Sequence, residues 1–327
     1  MTNGKIPETV LKRSVLNQIR HRREEVILGP AVGEDFGLID VNGEDVIVIS
    51  ADPVTGTPQD IGIYAVHITA NDIASSGADC IGVMLTILLP ENTDEAELRT
   101  LMQDAEGICR QLNIEILGGH TEVTKAVTRP VVTVTGIGKI KKKDILKTSG
   151  VKPGHEIVMT KWAGLEGTAI LAKAKERELL SRYPAAFLDG AKRMIDYISV
   201  VSEARIAKGA GISSMHNVSE GGIFGALWEI GAASKVGLEV DLQKIRLKQE
   251  TVEICEFFDL NPYMLASGGC LLIITEHGNQ MVDCLKGAGI PAAVIGRIKE
   301  GNDRIIINGE ERRYLEPPKA DELYKVI

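Results

Sequence analysis

An α+β fold in two domains is the architecture that this sequence predicts, on three observations. The chain has 327 residues, more than a single hydrophobic core usually serves, so two domains are expected. Strand-like and helix-like segments follow one another in the first half without regular alternation, which indicates α+β there. A charged segment at 139–154 ends in Lys-Pro-Gly and marks a boundary. We expect an N-terminal domain at 1–140 and a C-terminal domain at 154–327.

The elements of the first half follow from the spacing of apolar residues. Helical spacing predicts helices, and short runs of β-branched residues predict strands. Thr93 is the predicted N-cap of the third helix, whose apolar residues lie at 98, 101, 102, 105, 108, 109 and 112. In chain order we predict a helix at 7–20, a strand at 45–51, a helix near 60–76, a strand at 81–88, a helix at 94–112, and strands at 114–118 and 131–137.

The second half combines short apolar runs with segments of helical spacing. The glycine-containing segment at 216–222 is predicted as a turn. The elements predicted around it are a strand at 156–160, helices at 165–182, 190–209 and 223–233, a strand at 270–275, a helix near 278–287 and a strand at 292–296.

Composition restricts the class of protein. Apolar residues make up 44% and charged residues 25% of the chain, as in an ordinary soluble globular protein. A net charge of −8 argues against a nucleic-acid-binding surface, which needs a basic face. The five cysteines form no C-x-x-C pair, as is usual in a reducing cytosol. The sequence shows no signal peptide and no apolar run near 18 residues, so we expect a cytoplasmic protein without membrane contact.

Three aspartates occupy positions where a carboxylate favours a bound cation. Asp35 lies in a glycine-punctuated turn, G-P-A-V-G-E-D-F-G, and Asp52 directly follows the strand-like run V-I-V-I-S-A. Asp72 follows Asn71 in the C-terminal half of a helix, where the helix dipole does not favour a carboxylate. Magnesium that is bound with nucleotide phosphates takes only one or two carboxylates directly. The three aspartates are therefore candidate magnesium ligands, although for Asp72 alone a solvated side chain is the alternative.

A second polar segment follows the strand predicted at 114–118. Gly118 and Gly119 precede His120, Thr121 and Glu122 in the sequence G-G-H-T-E. Glycines at a strand end let a phosphate approach the backbone, which makes Gly118 and Gly119 candidate phosphate-binding residues. His120 could donate to phosphate or substrate or act as a base, or it could be a hydrogen-bonded histidine beside a turn.

These segments, in this order, resemble the aminoimidazole-ribonucleotide synthetase (PurM-like) superfamily over residues 5–320. In the first half the resemblance rests on G-x-D near 35, an aspartate at a strand end near 52, N-D-I-A-S-S-G-A at 71–78 and G-G-x-T-E at 118–122. In the second half, H-N-V-S-E-G-G-I at 216–223 is similar to the family's H-D-x-T-x-G-G-L, and N-P-Y-M-L-A-S-G-G at 261–269 to its D-P-L-Y-L-A-S-E-G.

The resemblance implies an architecture and a chemistry. Its members have an N-terminal four-stranded sheet that forms a barrel across a homodimer, and a C-terminal α/β sandwich. ATP lies in the cleft with Mg²⁺ on acidic residues, which in this chain are Asp35, Asp52 and Asp72. Asn71 would position a water ligand or a phosphate, and Asp35 would also contact the nucleotide. The γ-phosphate activates a carbonyl- or amide-type oxygen in these enzymes.

Two departures from the family bear on the reaction. Where the family often has an acidic residue, this chain has His120, a poor magnesium ligand, so His120 and Glu122 are the candidate catalytic pair. One branch of the superfamily is the hydrogenase maturation dehydratase. It carries its substrate on a C-terminal cysteine, whereas the last cysteine of this chain is Cys284. We therefore expect a relative of that branch that acts on a small molecule or on the tail of another protein. A thiamine-monophosphate-kinase-like enzyme and a nucleotide-binding scaffold without turnover are the alternatives.

Overall fold

Two β-sheets, each covered by helices, organise the protein. The structure is a computed structural model that describes residues 7–21, 23–55, 57, 59–317 and 319–327. One sheet has six strands between residues 26 and 141, and the other has seven strands between 156 and 314. The predicted α+β architecture is confirmed. No helix among the described residues is long and apolar enough to cross a membrane.

The first sheet contains four long strands and two short ones, rather than the four strands that the resemblance implied. Its strands are β1 Val26–Leu28, β2 Gly37–Asp40, β3 Asp45–Val54, β4 Asp79–Leu89, β5 Glu115–Val123 and β6 Val131–Lys141, and its helices are α1 Glu8–Ser14, α2 Ile61–Ser75 and α3 Glu95–Leu112. The strand order is β1-β2-β3-β6-β4-β5, and only the β4–β5 pair is parallel. In β3, Val46 and Val48 are buried while Ile47 and Ile49 are partly exposed, a period of two that marks one covered face.

The second sheet is covered on both faces. Its order is β13-β12-β9-β11-β7-β10-β8, and only β9 and β12 pair in parallel. Leu272 and Ile274 of β10 join one hydrophobic core and Leu271 and Ile273 join another, as expected when a strand lies between two layers. The strands are β7 Glu156–Thr160, β8 Ser214–Asn217, β9 Gly237–Asp241, β10 Leu271–Thr275, β11 Ala292–Lys299, β12 Arg304–Asn308 and β13 Glu311–Tyr314. The helices are α4 Leu165–Ala174, α5 Glu176–Leu179, α6 Ala185–Lys192, α7 Val201–Gly209, α8 Gly222–Ser234, α9 Gln249–Phe257 and α10 Gly278–Gly287.

Helix α2 lies at the junction of the two halves. It packs on β3 and β6 and also contacts α7 and β8, so it is buried on nearly all sides. A helix that is apolar all round is typical of such a position. This burial overturns the alternative of a solvated Asp72, since that side chain is 7% exposed.

Several helices differ from their predicted bounds, either at the cap residue or because the helix is interrupted. Asp94, not Thr93, is the N-cap of α3, because Asp94 Oδ1 accepts from Ala96 N at 3.4 Å while Thr93 Oγ1 donates to Pro90 O. The segments predicted as single helices at 7–20, 165–182 and 190–209 are interrupted: α1 is followed by a 3-10 turn at Leu16–Gln18, α4 is followed by α5, and α6 and α7 are separated by a 3-10 turn at Arg193–Tyr197.

The segment G-G-H-T-E is a strand rather than a turn, contrary to prediction. It forms most of β5, which runs on to Val123 beside β4. The register moves from Val83–Ile116 to Met84–Gly118, so one extra residue in β5 makes a β-bulge. A Cβ at residue 119 would overlap the carbonyl oxygen of Leu85, and only glycine permits this approach. Gly119 therefore serves strand pairing within the chain.

Candidate active site

A cavity of about 830 Å³ lies between the two halves of the protein. Its walls come from α1, the segment 31–35, the end of β3, α2, α4, the turn at 219–221, α8 and the C-terminal segment 319–324. Helix α2 contributes Tyr64, Ile68 and Asp72, which are spaced four residues apart and so form one stripe along the helix. Residues of the first sheet and loops of the second half therefore line the same cavity.

The three candidate magnesium ligands meet in this cavity. Asp35, Asp52 and Asp72 all line it, although they lie before β2, on β3 and on α2. Ser50 connects two of them, because its Oγ lies 3.1 Å from Oδ2 of Asp52 and 3.1 Å from Oδ2 of Asp72. The packing of α2 on β3 therefore brings together carboxylates that are far apart in the sequence.

Burial disfavours the charged form of Asp72. Burial raises its pKa well above the usual value, and the charges of Asp52 and Asp35 raise it further. The Nδ2 of Asn217 donates to Asp72 Oδ1 at 2.9 Å and opposes this shift only in part. Three neighbouring acids in a buried site favour either a bound proton or a bound cation.

His216 holds Asp35 in place from the second sheet. It is fully buried, with Nδ1 3.1 Å from Asp35 Oδ2 and Nε2 3.0 Å from Glu229 Oε2. Burial lowers the pKa of His216, but the charges of Asp35 and Glu229 and the hydrogen bonds to them raise it more, to about 10. The ring is therefore an imidazolium at neutral pH, and it anchors one carboxylate of the cluster.

The charge of the cavity bears on what can occupy it. Nine of its described lining residues are acidic and one, Lys319, is basic. Among the residues that the structure describes, no three His, Cys, Asp or Glu side chains are arranged to hold a metal ion on their own. This donor set fits magnesium that also binds phosphate oxygens and waters, since such sites use few carboxylates.

Asn71 lies outside the cavity and has a structural environment. Its side chain is fully buried, its Nδ2 donates to Ile198 O at 2.8 Å and its Oδ1 accepts from Val200 N at 2.8 Å. The amide thus ties α2 to the segment before α7. A contact between Asn71 and a nucleotide would require these two buried hydrogen bonds to break.

The candidates on β5 are not assembled with the aspartates within one chain. Neither His120 and Glu122 nor the two glycines, Gly118 and Gly119, line the cavity. The side chains of His120 and Glu122 are 65% and 47% exposed, and His120 Nε2 lies 3.2 Å from Glu122 Oε2. Their catalytic role stays a prediction, and it requires a second copy of the chain to bring β5 to the cavity.

Sequence reasoning did not assign several cavity residues that the fold brings together. Glu166 opens α4, Asp321 lies near the C-terminus, and Tyr64 lies on the same stripe of α2 as Asp72. A glutamate in the first turn of a helix is usually a solvated charge that favours the helix dipole, so its burial could not be anticipated. For His216 a signal existed, because the motif H-N-V-S-E-G-G-I begins with it.

Family models match most of the chain. The model of the AIR synthase related protein N-terminal domain matches residues 33–140, and that of its C-terminal domain matches residues 152–308. The chain belongs to the AIR synthase related family. The resemblance seen in the sequence is thereby confirmed, together with the PurM-like fold.

Within this family the chain is similar to proteins of two kinds. A putative hydrogenase expression/formation protein of Methanocaldococcus jannaschii is 26% identical over 99% of this chain and 97% of its own length. A carbamoyl dehydratase HypE of Rhizobium leguminosarum bv. viciae is 28% identical over 73% of this chain and 68% of its own length. A thiamine-monophosphate kinase of Pyrococcus horikoshii is 26% identical over 86% of this chain and 87% of its own length.

Solved structures share the fold of this family member. A HypE–HypF complex contains a chain that superposes with a TM-score of 0.78 at 20% identity, covering 94% of this chain and 99% of that chain. The hydrogenase maturation protein HypE in complex with ATP superposes with a TM-score of 0.69 at 19% identity, covering 98% of this chain and 97% of that chain. At these identities the likeness shows the fold alone.

Proposed function

We propose that this protein binds Mg²⁺-ATP in the cavity and transfers the γ-phosphoryl group to a carbonyl- or amide-type oxygen. Asp35, Asp52 and Asp72 are the proposed magnesium ligands. The observation that carries the proposal is the charge of the cavity, whose described lining has nine acidic residues and one basic residue, with Asp52 and Asp72 joined through Ser50 and Asp35 in the same cavity. Such a surface repels a triphosphate unless divalent cations lie between the carboxylates and the phosphates and offset their charges.

The roles of the chain's own residues follow from their contacts. His216 fixes Asp35 by its charge, and Asn217 orients Asp72 by a hydrogen bond. Magnesium, when bound, would neutralise charge on the transferring phosphoryl group.

Relatives support ATP as the nucleotide and leave two acceptor classes. One solved relative, HypE, is in complex with ATP, and another is named carbamoyl dehydratase. The M. jannaschii relative, named for hydrogenase formation, matches the chain from end to end, which favours a maturation-type reaction. HypE has been solved in complex with HypF, so a protein-borne substrate is one acceptor class and a small molecule is the other.

A thiamine-monophosphate kinase is the second candidate. The match to the P. horikoshii kinase covers 86% of this chain and 87% of the kinase's own length. Both candidates use the same nucleotide site, so the acceptor distinguishes them.

The proposed function is tested by following ATP turnover. We expect magnesium-dependent formation of ADP over several turnovers, with thiamine monophosphate and small carboxamides compared as acceptors. Formation of thiamine diphosphate in step with ADP would establish the kinase. Phosphate release that depends on a carboxamide would establish the dehydratase class. Tight binding of Mg²⁺-ATP without any turnover would contradict the enzymatic proposal and support a scaffold.

We also propose that the protein is a homodimer that pairs through the first sheet. Strand β5 ends the described sheet and pairs with β4 on one side only. Large apolar side chains stand exposed on these two strands, namely Ile81, Met84, Leu117 and Val123, at 49%, 46%, 53% and 60%. An apolar edge strand of this kind is usually covered in a soluble protein.

A further inference from the structure

A second acidic group lies in the same cavity as the three aspartates. It consists of Glu166 on α4, Glu220 in the turn before α8 and Asp321 in the C-terminal segment. Glu166 is 8% exposed and Asp321 is 2% exposed. Burial raises the pKa of Glu166 to about 7, and the charges of Asp321 and Glu220 contribute to this rise. These three acidic side chains are therefore close enough to act on one another.

A buried tyrosine hydroxyl accompanies this group. Tyr64 is 1% exposed and lines the cavity, and its hydroxyl oxygen has no hydrogen-bond partner among the residues that the structure describes. Glu166 lines the same cavity, and after burial its charge is the largest influence that raises the pKa of Tyr64. Buried polar atoms are normally paired, so this hydroxyl indicates a ligand that supplies the partner.

The carboxyl group of Glu166 occupies a place that another residue could fill. Gly268 N donates to Glu166 Oε2 at 3.0 Å, and a Cβ on Gly268 would lie 2.7 Å from that oxygen. In the related motif D-P-L-Y-L-A-S-E-G, a glutamate stands at the position of Gly268. In this chain the carboxylate is therefore supplied by α4, and glycine at 268 leaves room for it.

Asp321 has a different role from Glu166. Its Oδ2 accepts from Gly221 N at 2.6 Å, while its Oδ1 accepts from Leu323 N at 2.8 Å and Ala266 N at 3.2 Å. These bonds hold the C-terminal segment against the cavity and use both oxygens. Glu166 Oε2 is held by Gly268, so Oε1 is the oxygen that a ligand N–H would approach.

The charge at this place calls for a cation. The one basic residue among the described lining residues, Lys319, has a side chain that is 72% exposed and pairs with Glu316. Carboxylates that are buried without a cationic partner are costly, and a cationic ligand offsets that cost through charge-assisted hydrogen bonds.

We propose that Glu166 and Tyr64 form the subsite for the acceptor substrate, with Asp321 fixing the C-terminal segment beside it, and that this substrate presents a cationic nitrogen, an ammonium or amidinium group, to Glu166. The role as acceptor subsite rests on the proposed function, whereas binding of the cation does not require nucleotide. The substrate class is thereby narrowed to molecules that carry a positive nitrogen beside the oxygen that is phosphorylated.

The test compares three probes of nearly the same shape that differ in charge: acetamidinium, acetamide and acetate. Dissociation constants are measured by NMR titration, on the protein alone and with Mg²⁺ and a non-hydrolysable ATP analogue that occupies the aspartate cluster. Acetamidinium is expected to bind about tenfold or more tightly than acetamide, because hydrogen bonds to charged groups are the stronger ones, and acetate is expected not to bind. Equal binding of the three probes, or preference for acetamide or acetate, would overturn the proposal.

Variants locate the binding at Glu166. Glu166→Gln keeps an acceptor for Gly268 N and should weaken acetamidinium binding about tenfold or more, whereas Glu256→Gln, on an exposed side chain of α9, should change nothing. The double variant Glu166→Ala with Gly268→Glu places a carboxylate at the motif position and should restore acetamidinium binding. A side chain is possible at residue 268, because Gly268, unlike Gly269, does not have a positive φ. Unchanged binding in Glu166→Gln, or no recovery in a folded double variant, would contradict the subsite. If the wild-type protein binds acetamidinium but does not bind Mg²⁺-ATP, the proposed function is refuted and the cation-binding subsite is not.

Discussion

Single residues carry most of the argument for a nucleotide site. Asp35, Asp52 and Asp72 were predicted from their positions beside glycines, at a strand end and in a helix, and the fold places all three in one cavity. Asn71, predicted from the same segment, instead bonds the backbone of residues 198 and 200. Adjacent residues on a helix point about 100° apart, and Asn71 and Asp72 therefore face different surroundings.

Asn71→Ala tests its structural role. The change leaves Ile198 O and Val200 N buried without their partner, so we expect the free energy of unfolding to fall by about 2–4 kcal/mol. Mg²⁺-ATP affinity of the folded protein should change little. Urea denaturation measures the first quantity, with Gln103→Ala on the exposed side of α3 as the control. A stable Asn71→Ala variant with weakened nucleotide binding would instead support the role in ligand positioning.

The pKa of Glu166 predicts how stability depends on pH. Burial, with a smaller contribution from the charges of Asp321 and Glu220, raises the pKa of Glu166 in the folded protein to about 7 from 4.5. The folded protein therefore binds more protons than the unfolded chain between these values, so stability should fall as pH rises from about 5 to about 7. Glu166→Gln should reduce this slope. It should not abolish it, because the pKa of Asp321 is raised to about 6 and contributes with the same sign. If the free energy of unfolding, measured by denaturation at a series of pH values, depends on pH equally in both proteins, the assignment is contradicted.

At the scale of elements, long segments with clear periodicity were predictable and special backbone was not. Helix α2 was expected near 60–76 and covers Ile61–Ser75, because its apolar residues continue through the whole segment. Strand β5 was cut short because Gly118 and Gly119 resemble a turn, whereas they pair with Met84 and Leu85 of β4 directly after a bulge at Leu117. Such a bulge depends on the neighbouring strand, which the local sequence does not specify.

Gly119→Ala tests the close approach of β5 to β4. A methyl group at 119 would overlap Leu85 O, so β5 should separate from β4 and stability should fall by more than about 2 kcal/mol. Gly107→Ala is the matched control, because it lies on α3 with open space around it and should be neutral or stabilising. Thermal denaturation distinguishes them. A Gly119→Ala protein of normal stability that binds nucleotide weakly would favour the phosphate-binding role predicted from the sequence.

At the scale of the whole molecule, the apolar edge formed by β4 and β5 predicts a dimer. Sedimentation at micromolar concentration should show a dimer, and Met84→Lys should give a folded monomer because it places a charge in the proposed interface. Leu180→Lys, at an equally exposed leucine on another surface, should leave the dimer intact. A wild-type protein that sediments as a folded monomer would contradict this proposal and, with it, the catalytic role of His120 and Glu122.

The whole molecule also shows where sequence reasoning stops. The fold and the aspartate cluster were predictable because ordered motifs span both halves. Glu166 and Asp321 were not, because they meet only when the C-terminal segment returns to α4 and the turn at 219–221. The domain bounds at 1–140 and 154–327 stay predictions.

The central claim is that carboxylates of this cavity bind ATP through magnesium. Calorimetry of Mg²⁺-ATP binding to Asp52→Asn and Asp72→Asn tests it most directly, with Asp45→Asn on the same strand β3 as the control, since Asp45 pairs with Lys139 outside the cavity. Each of the two variants should lose about 1–3 kcal/mol of binding free energy, Asp45→Asn none, and the loss should be much smaller when magnesium is omitted. Unchanged Mg²⁺-ATP affinity in both Asp52→Asn and Asp72→Asn would contradict the account.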